Sequence, residues 1–175
     1  MEQPDFTGIR VLIVGARGYA AAMLRTVLNA GGILRIDVIE DADRALDVLR
    51  VETYDAVFVE EELTAGGAPF ALAARRTKSL LNPLVPIFAV YAGARRRDVE
   101  RSRDLGVNGV IVRPVSPKTV MEKLGAALNA PPSFIAAPNF FGPDRRSKAR
   151  AAVPYGGKER RVRKARKTKM QVLDI

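Results

Sequence analysis

Cysteine and histidine are both absent from the 175 residues. Without cysteine there is no disulfide, no thiolate metal site and no thiol nucleophile. Without histidine there is no Ser-His-Asp chemistry, no imidazole ligand and no histidine pH switch. Tryptophan is missing too, and aromatic residues make up only 6% of the chain. No apolar run reaches the roughly 18 residues that span a bilayer. The first ten residues carry Glu2 and Asp5 and lack the apolar stretch of a signal peptide. These absences predict a soluble cytoplasmic protein. What remains is 47% hydrophobic and 27% charged, enough for one domain with a sizeable core.

The charge is unevenly placed. Residues 1–130 carry 17 basic and 16 acidic side chains, whereas residues 131–175 carry 12 basic and 3 acidic ones. The excess of +10 therefore belongs almost wholly to the last 45 residues. A near-neutral domain over 8–129 and an arginine- and lysine-rich tail over 130–175 are the predicted units. Ala130-Pro131-Pro132 and Pro138 break helices, and little apolar periodicity follows. The tail is expected to be extended or disordered until it meets a partner.

Between residues 10 and 130 two patterns alternate. Short apolar runs predict buried strands at 10–14, 33–38, 55–59, 86–90 and 109–113. Helical stretches are predicted at 18–30, 42–51, 70–81, 95–105 and 118–128. Asp41 is the expected N-cap of the second helix, and Ser116-Pro117 the start of the fifth. Five strand–helix pairs imply an α/β fold, an open, doubly wound five-stranded parallel sheet covered on both faces. Ligands of such sheets sit at the carboxyl edge of the strands.

The residues at that edge resemble a known family. RVLIVG at 10–15, YDAVFVEEEL at 54–63, NPLVPIFAVYAG at 82–93 and GVNGVIVRPVSPKTV at 106–120 are similar to the CheY-like response-regulator receivers of two-component signal transduction. The resemblance covers about residues 8–129, and Asn108–Lys118 is its most specific stretch. It implies a flavodoxin-like receiver fold. It also implies a cis proline after the fifth strand, where Arg113-Pro114 stands.

An active receiver holds Mg²⁺ on two acids and accepts a phosphoryl group on an Asp. A hydroxyl and a lysine complete the phosphorelay site. Here the acid pair is Gly15 and Ala16, the acceptor position is Glu60, the hydroxyl position is Tyr91 and the lysine position is Arg113. The receiver is therefore expected to be degenerate, without Mg²⁺ and without phosphorylation. Glu60 and Arg113 are placed to pair, or Glu60 is a solvated loop acid beside Glu61 and Glu62. A phosphorelay receiver with Glu60 as an unusual acceptor stays open as an alternative. No set of acid, base and nucleophile survives at the edge, so no enzyme activity is expected.

Two further features bear on partners. Arg95-Arg96-Arg97 opens the fourth helix, where positive charge opposes the dipole. It reads as a ligand or partner contact, or as a solvated face. Tyr91 reads as a partner-facing aromatic or as a core ring.

The tail holds a repeat. Phe140-Phe-Gly-Pro-Asp-Arg-Arg146 and Tyr155-Gly-Gly-Lys-Glu-Arg-Arg161 share an aromatic, a glycine, an acid and two arginines in register, fifteen residues apart. An aromatic ring stacks on a base, and an arginine fork can hold guanine O6 and N7 or a phosphate. An acid accepts from the guanine N–H groups, and glycine lets the backbone approach closely. Two copies suit a ligand with two guanines and two phosphates, namely cyclic di-GMP. The F-G-P-D-R-R type of tail on a receiver also resembles the CheY-like cyclic di-GMP effectors. That resemblance implies regulation of a protein partner such as the flagellar motor, and so of motility. The candidate ligand residues are Phe141, Gly142, Pro143, Asp144, Arg145 and Arg146, with Tyr155, Gly157, Glu159, Arg160 and Arg161 in the second copy. Lys158–Lys169 holds eight basic residues and one acid. Nucleic acid or an anionic membrane is the competing partner.

Overall fold

The computed structural model describes residues 6–60, 63–138 and 140–144. Five parallel strands, β1 (Arg10–Val14), β2 (Arg35–Ile39), β3 (Ala56–Glu60), β6 (Ile87–Tyr91) and β7 (Gly109–Val112), form one sheet in the order β2-β1-β3-β6-β7. Helices α1 (Gly18–Ala30), α2 (Ala42–Val51), α3 (Phe70–Arg76), α4 (Arg96–Asp104) and α5 (Pro117–Asn129) connect and cover them. Two small antiparallel hairpins complete the fold: β4 (Thr64–Ala65) with β5 (Ala68–Pro69), and β8 (Phe134–Ala137) with β9 (Phe140–Pro143). This is the receiver arrangement of a doubly wound, flavodoxin-like sheet.

Strand side chains alternate between two cores, as a sheet covered on both sides requires. Val11, Ile13, Phe58, Phe88 and Ile111 face Leu24, Leu28, Val120 and Leu124 of α1 and α5. Leu12, Val14, Val57, Val59 and Ile87 face Leu46 and Leu49 of α2 and Phe70 of α3. The rings of Phe58 and Phe88 stack at 5.2 Å within the first core.

Local sequence accounts for most boundaries. The Asp41 carboxylate accepts from the Arg44 N–H at 2.7 Å and caps α2. Pro117 opens α5, although the Ser116 side chain makes no cap bond. The strand expected at 33–38 begins later, at Arg35. Gly32 has φ +89°, and the Ile33 N–H bonds back to the Leu28 carbonyl, so Ile33 is buried while still closing α1. Helix α3 stops at Arg76, not at Leu81. Thr77 turns its N–H and its hydroxyl back to the Ala73 carbonyl. Leu80 then enters the core, and the Leu81 N–H bonds Leu49 at the end of α2.

The largest departure concerns residues 130–144. They were expected to belong to a flexible tail, but 134–143 form the β8–β9 hairpin. Phe134 pairs with Pro143, Ile135 with Gly142, Ala136 with Phe141 and Ala137 with Phe140. The Asp144 N–H closes the open end on the Ser133 carbonyl at 2.6 Å. The prolines that stop helices here are compatible with short edge strands. Residues 145–175 lie outside the described residues.

Among the described residues, no helix is long and apolar enough to cross a membrane.

Candidate functional site

The receiver positions converge at one edge of the sheet, as the resemblance implies. Gly15, Glu60 and Tyr91 stand at the ends of β1, β3 and β6, and Arg113 follows β7. The Arg113-Pro114 bond is cis. Arg113 Nη1 lies 3.4 Å from Glu60 Oε1, and each side chain is about a quarter exposed (26% and 26%). The pair therefore forms, at ion-pair distance. Its Nε is buried and has no hydrogen-bond partner among the described residues.

The acid-pair positions are closed by a side chain that composition alone could not reveal. Gly15 has φ +82°, and a Cβ there would sit 1.7 Å from Leu63 Cδ1. Leu63 thus occupies the space in which a side chain at position 15 would project. The small β4–β5 hairpin holds it there. Gly66 and Gly67 turn the chain with φ +56° and +76°, and the Leu63 carbonyl accepts from the Phe70 N–H at 2.8 Å. Two successive positive φ angles are why glycines stand at this two-residue turn. Ala16 is buried beside it.

Tyr91 proves to be a ring packed inward. Its body joins the core under α2 and α3, and its hydroxyl lies 2.6 Å from Ser102 Oγ. Ser102 is the buried residue of α4. The arginine run is partly neutralised by its own helix. Arg96 pairs with Glu100 at 2.9 Å, and Arg97 lies 3.6 Å from the Asp98 carboxylate, which also accepts from the Arg95 backbone N–H at 2.8 Å.

The first tail motif divides between docking and presentation. Phe141 tilts against Phe134, with ring centroids 5.5 Å apart, while Gly142 and Pro143 are buried. A Cβ on Gly142 would meet Gly106 Cα at 2.8 Å, and a Cβ on Gly106 would meet the Phe141 carbonyl oxygen at 2.6 Å. Two backbones touch here, and only glycine allows it. Phe141, Gly142 and Pro143 were expected to contact ligand; their contacts here are to the hairpin and the receiver body. Arg145, Arg146, Tyr155, Gly157, Glu159, Arg160 and Arg161 lie outside the described residues.

Arg75 fastens the hairpin, and sequence reasoning missed it. It is 6% exposed and has no carboxylate partner among the described residues. Its guanidinium donates to the carbonyls of Gly106 (3.0 Å), Pro83 (3.0 Å) and Val85 (2.9 Å) and to Asn108 Oδ1 (2.9 Å). The Phe134 ring covers it at 5.0 Å. Burial pushes the guanidinium down to about 9, so it keeps its proton at neutral pH. The available signal was position: 75 falls four residues after Ala71, on the buried face of α3.

The hairpin ends beside a groove of about 440 Å³ that Arg103 and Lys123 border together with Pro143 and Asp144. Asp144 therefore borders the same groove as two cations, Arg103 and Lys123.

No family model matches this sequence. Solved structures do match the fold. The chemotaxis response regulator CheY4 of Vibrio cholerae is 20% identical, with a TM-score of 0.57 over 69% of this chain and 98% of its own. The receiver domain of a sensor histidine kinase from Pseudomonas aeruginosa, with magnesium in its active-site cleft, is 20% identical, with a TM-score of 0.60 over 70% and 99%. A sensor protein from Polaromonas is 26% identical, with a TM-score of 0.59 over 70% and 97%. These neighbours define the class: the chain carries a CheY-like receiver fold, with a further hairpin and a basic segment after it.

Proposed function

We propose that this chain is a non-catalytic response regulator that binds cyclic di-GMP through its arginine-rich segment and then acts on a protein partner such as the flagellar motor. The observation that carries the reading is the repeat FFGPDRR and YGGKERR. Its first copy grows out of a hairpin fastened to the receiver, so ligand held by Asp144 and the arginines after it would bear directly on the α4–β7 turn. Neutralising the arginines would order the segment and present a new surface to the partner.

The receiver half acts as a fixed scaffold. Magnesium requires hard oxygen ligands. Positions 15 and 16 offer a glycine under Leu63 and a buried alanine, and Glu60 already faces Arg113. Among the described residues, no group of acidic side chains stands at this edge that could hold the ion. Incubation with labelled acetyl phosphate and magnesium is expected to leave the protein unlabelled. Stoichiometric label that disappears in Glu60→Ala would restore the phosphorelay alternative.

The tail half is tested by keeping charge and removing forks. Replacing Arg145, Arg146, Arg160 and Arg161 by Lys is expected to weaken cyclic di-GMP binding by roughly 100-fold or more, since each bidentate contact is worth about 1–3 kcal/mol. Binding to duplex DNA or anionic vesicles depends on charge and is expected to survive. Equal losses for dinucleotide and DNA would favour the polyanion reading, for which the basic run 158–169 speaks.

A further inference from the structure

Strand β2 is an open edge of the sheet. Among the described residues it pairs with β1 alone. The Ile39 carbonyl accepts from the Gly15 N–H on the β1 side, and alternation turns the N–H and C=O of Arg35 and Asp37 the same way. The N–H and C=O of Ile36 and Val38 therefore point outward from the sheet. Side chains alternate as well. Leu34, just before the strand, shares a face with Ile36 and Val38. Ile36 is buried on that face against α1, whereas Leu34 and Val38 are 70% and 37% exposed. Arg35, Asp37 and Ile39 share the other face, that of α2. Arg35 is exposed and forms no salt bridge among the described residues. Asp37 accepts from Arg10 and Tyr54 on Oδ2, and its Oδ1 receives no bond among the described residues. Natural sheets block open edges with charge. Here the two charges have opposite signs and stand two residues apart on one face.

We propose that β2 is the contact between two copies of this chain, paired antiparallel about a twofold axis through Ile36, so that the two sheets run on as one. In that register Ile36 faces Ile36, and Leu34 of each copy faces Val38 of the other. These are the hydrogen-bonded pairs that the outward backbone groups make. Arg35 of each copy faces Asp37 of the other across the closer, non-hydrogen-bonded pairs, with Oδ1 as the acceptor. The exposed apolar and charged side chains of the edge thus each meet a complement. Neighbouring registers do not achieve this. Centring on Asp37 sets carboxylate against carboxylate, centring on Arg35 sets guanidinium against guanidinium, and centring on Val38 sets Asp37 against Ile39. The contact uses no tail residue and does not depend on cyclic di-GMP being the tail's ligand.

The test is sedimentation of the full chain over a concentration series at physiological salt, with nuclear magnetic resonance to place the contact. A reversible dimer is expected. As concentration rises, the Ile36 and Val38 amides gain protection from exchange, whereas those of Asp37 and Ile39, turned to β1, are protected throughout. A mixture of labelled and unlabelled chains is expected to give contacts between Leu34 and Val38 methyl groups of different copies. Arg35→Glu is expected to weaken the dimer about tenfold or more, because the axis repeats the like-charge pair. Arg35 is exposed, so the fold is retained, and Arg35→Lys is expected to dimerise as before. Val38→Pro removes an outward N–H without touching the β1 ladder and is expected to abolish the dimer. Replacing the four tail arginines by Lys is expected to leave it unchanged. A chain still monomeric at about 1 mM, a dimer that Arg35→Glu leaves intact, or one that the tail variant disperses would each overturn the assignment.

Discussion

Replacing Arg75 by Met is expected to destabilise the protein by about 3 kcal/mol or more, from the cost of unpaired buried acceptors. The carbonyls of Gly106, Pro83 and Val85 would each lose their side-chain donor. Asn108 Oδ1 would keep one bond, from the Ile87 N–H at 3.0 Å. Methionine fills much of the volume, so the loss reports hydrogen bonding more than a cavity. Lysine would retain the charge but could not reach four acceptors spread over two loops. The measurement is urea unfolding, with a lower midpoint at unchanged slope. A change within about 0.5 kcal/mol, the usual range for surface positions, would mean that Arg75 does not hold these loops together.

Gly106→Ala is the second large effect, with an expected cost of roughly 3 kcal/mol from backbone strain and overpacking together. Gly106 has φ +84°, which an L side chain rarely adopts, and the added carbon would lie 2.6 Å from a backbone oxygen of the hairpin. Backbone cannot step aside as a side-chain tip can. Gly142→Ala separates the two causes, because Gly142 is not among the positive-φ glycines yet meets Gly106 Cα at 2.8 Å. It is expected to undock the hairpin at a smaller cost in global stability. Amide hydrogen exchange in 134–143 reads this out, with protection lost there while the central strands stay protected. If both variants kept the hairpin protected, the glycine contact would not be what seats it.

Much of the receiver was legible because several local signals agreed at each place. The run Val11–Val14, the helix stop at Gly31 and the Asp41 cap each point to one conformation, and the structure follows them. Positions 15, 60, 91 and 113 were named from the resemblance to the receivers, once the strand ends had been read from the apolar runs. The pairing of Glu60 with Arg113 was one of two readings that charge and place left open, and the structure shows it. What sequence could not show is which side chain fills a space. Leu63 lies 48 residues from Gly15, and nothing in either segment announces that they meet. Arg75 stands in the run Arg75-Arg76 inside the helix predicted at 70–81, and nothing in the pair marks one arginine for burial. Its burial depends on acceptors from two later loops.

The hairpin at 134–143 was hidden for a different reason. Its strands are four residues each, too short for alternation to emerge, and its prolines were read only as breakers. The Phe-Ile and Phe-Phe pairs on either side of Pro138-Asn139 were the available turn signal. Recognising them would have assigned Gly142 to close backbone contact as well as to the ligand motif.

Calorimetric titration of the purified protein with cyclic di-GMP at physiological salt, with GTP as control, addresses the central claim. The account predicts saturable binding at micromolar concentration or tighter that GTP does not share. It also predicts only a modest loss on raising the salt, because base stacking and guanine contacts add to the phosphate term. Absence of heat at several temperatures, or binding that GTP matches and salt abolishes, would contradict it. The basic segment would then be a polyanion-binding tail on a receiver scaffold.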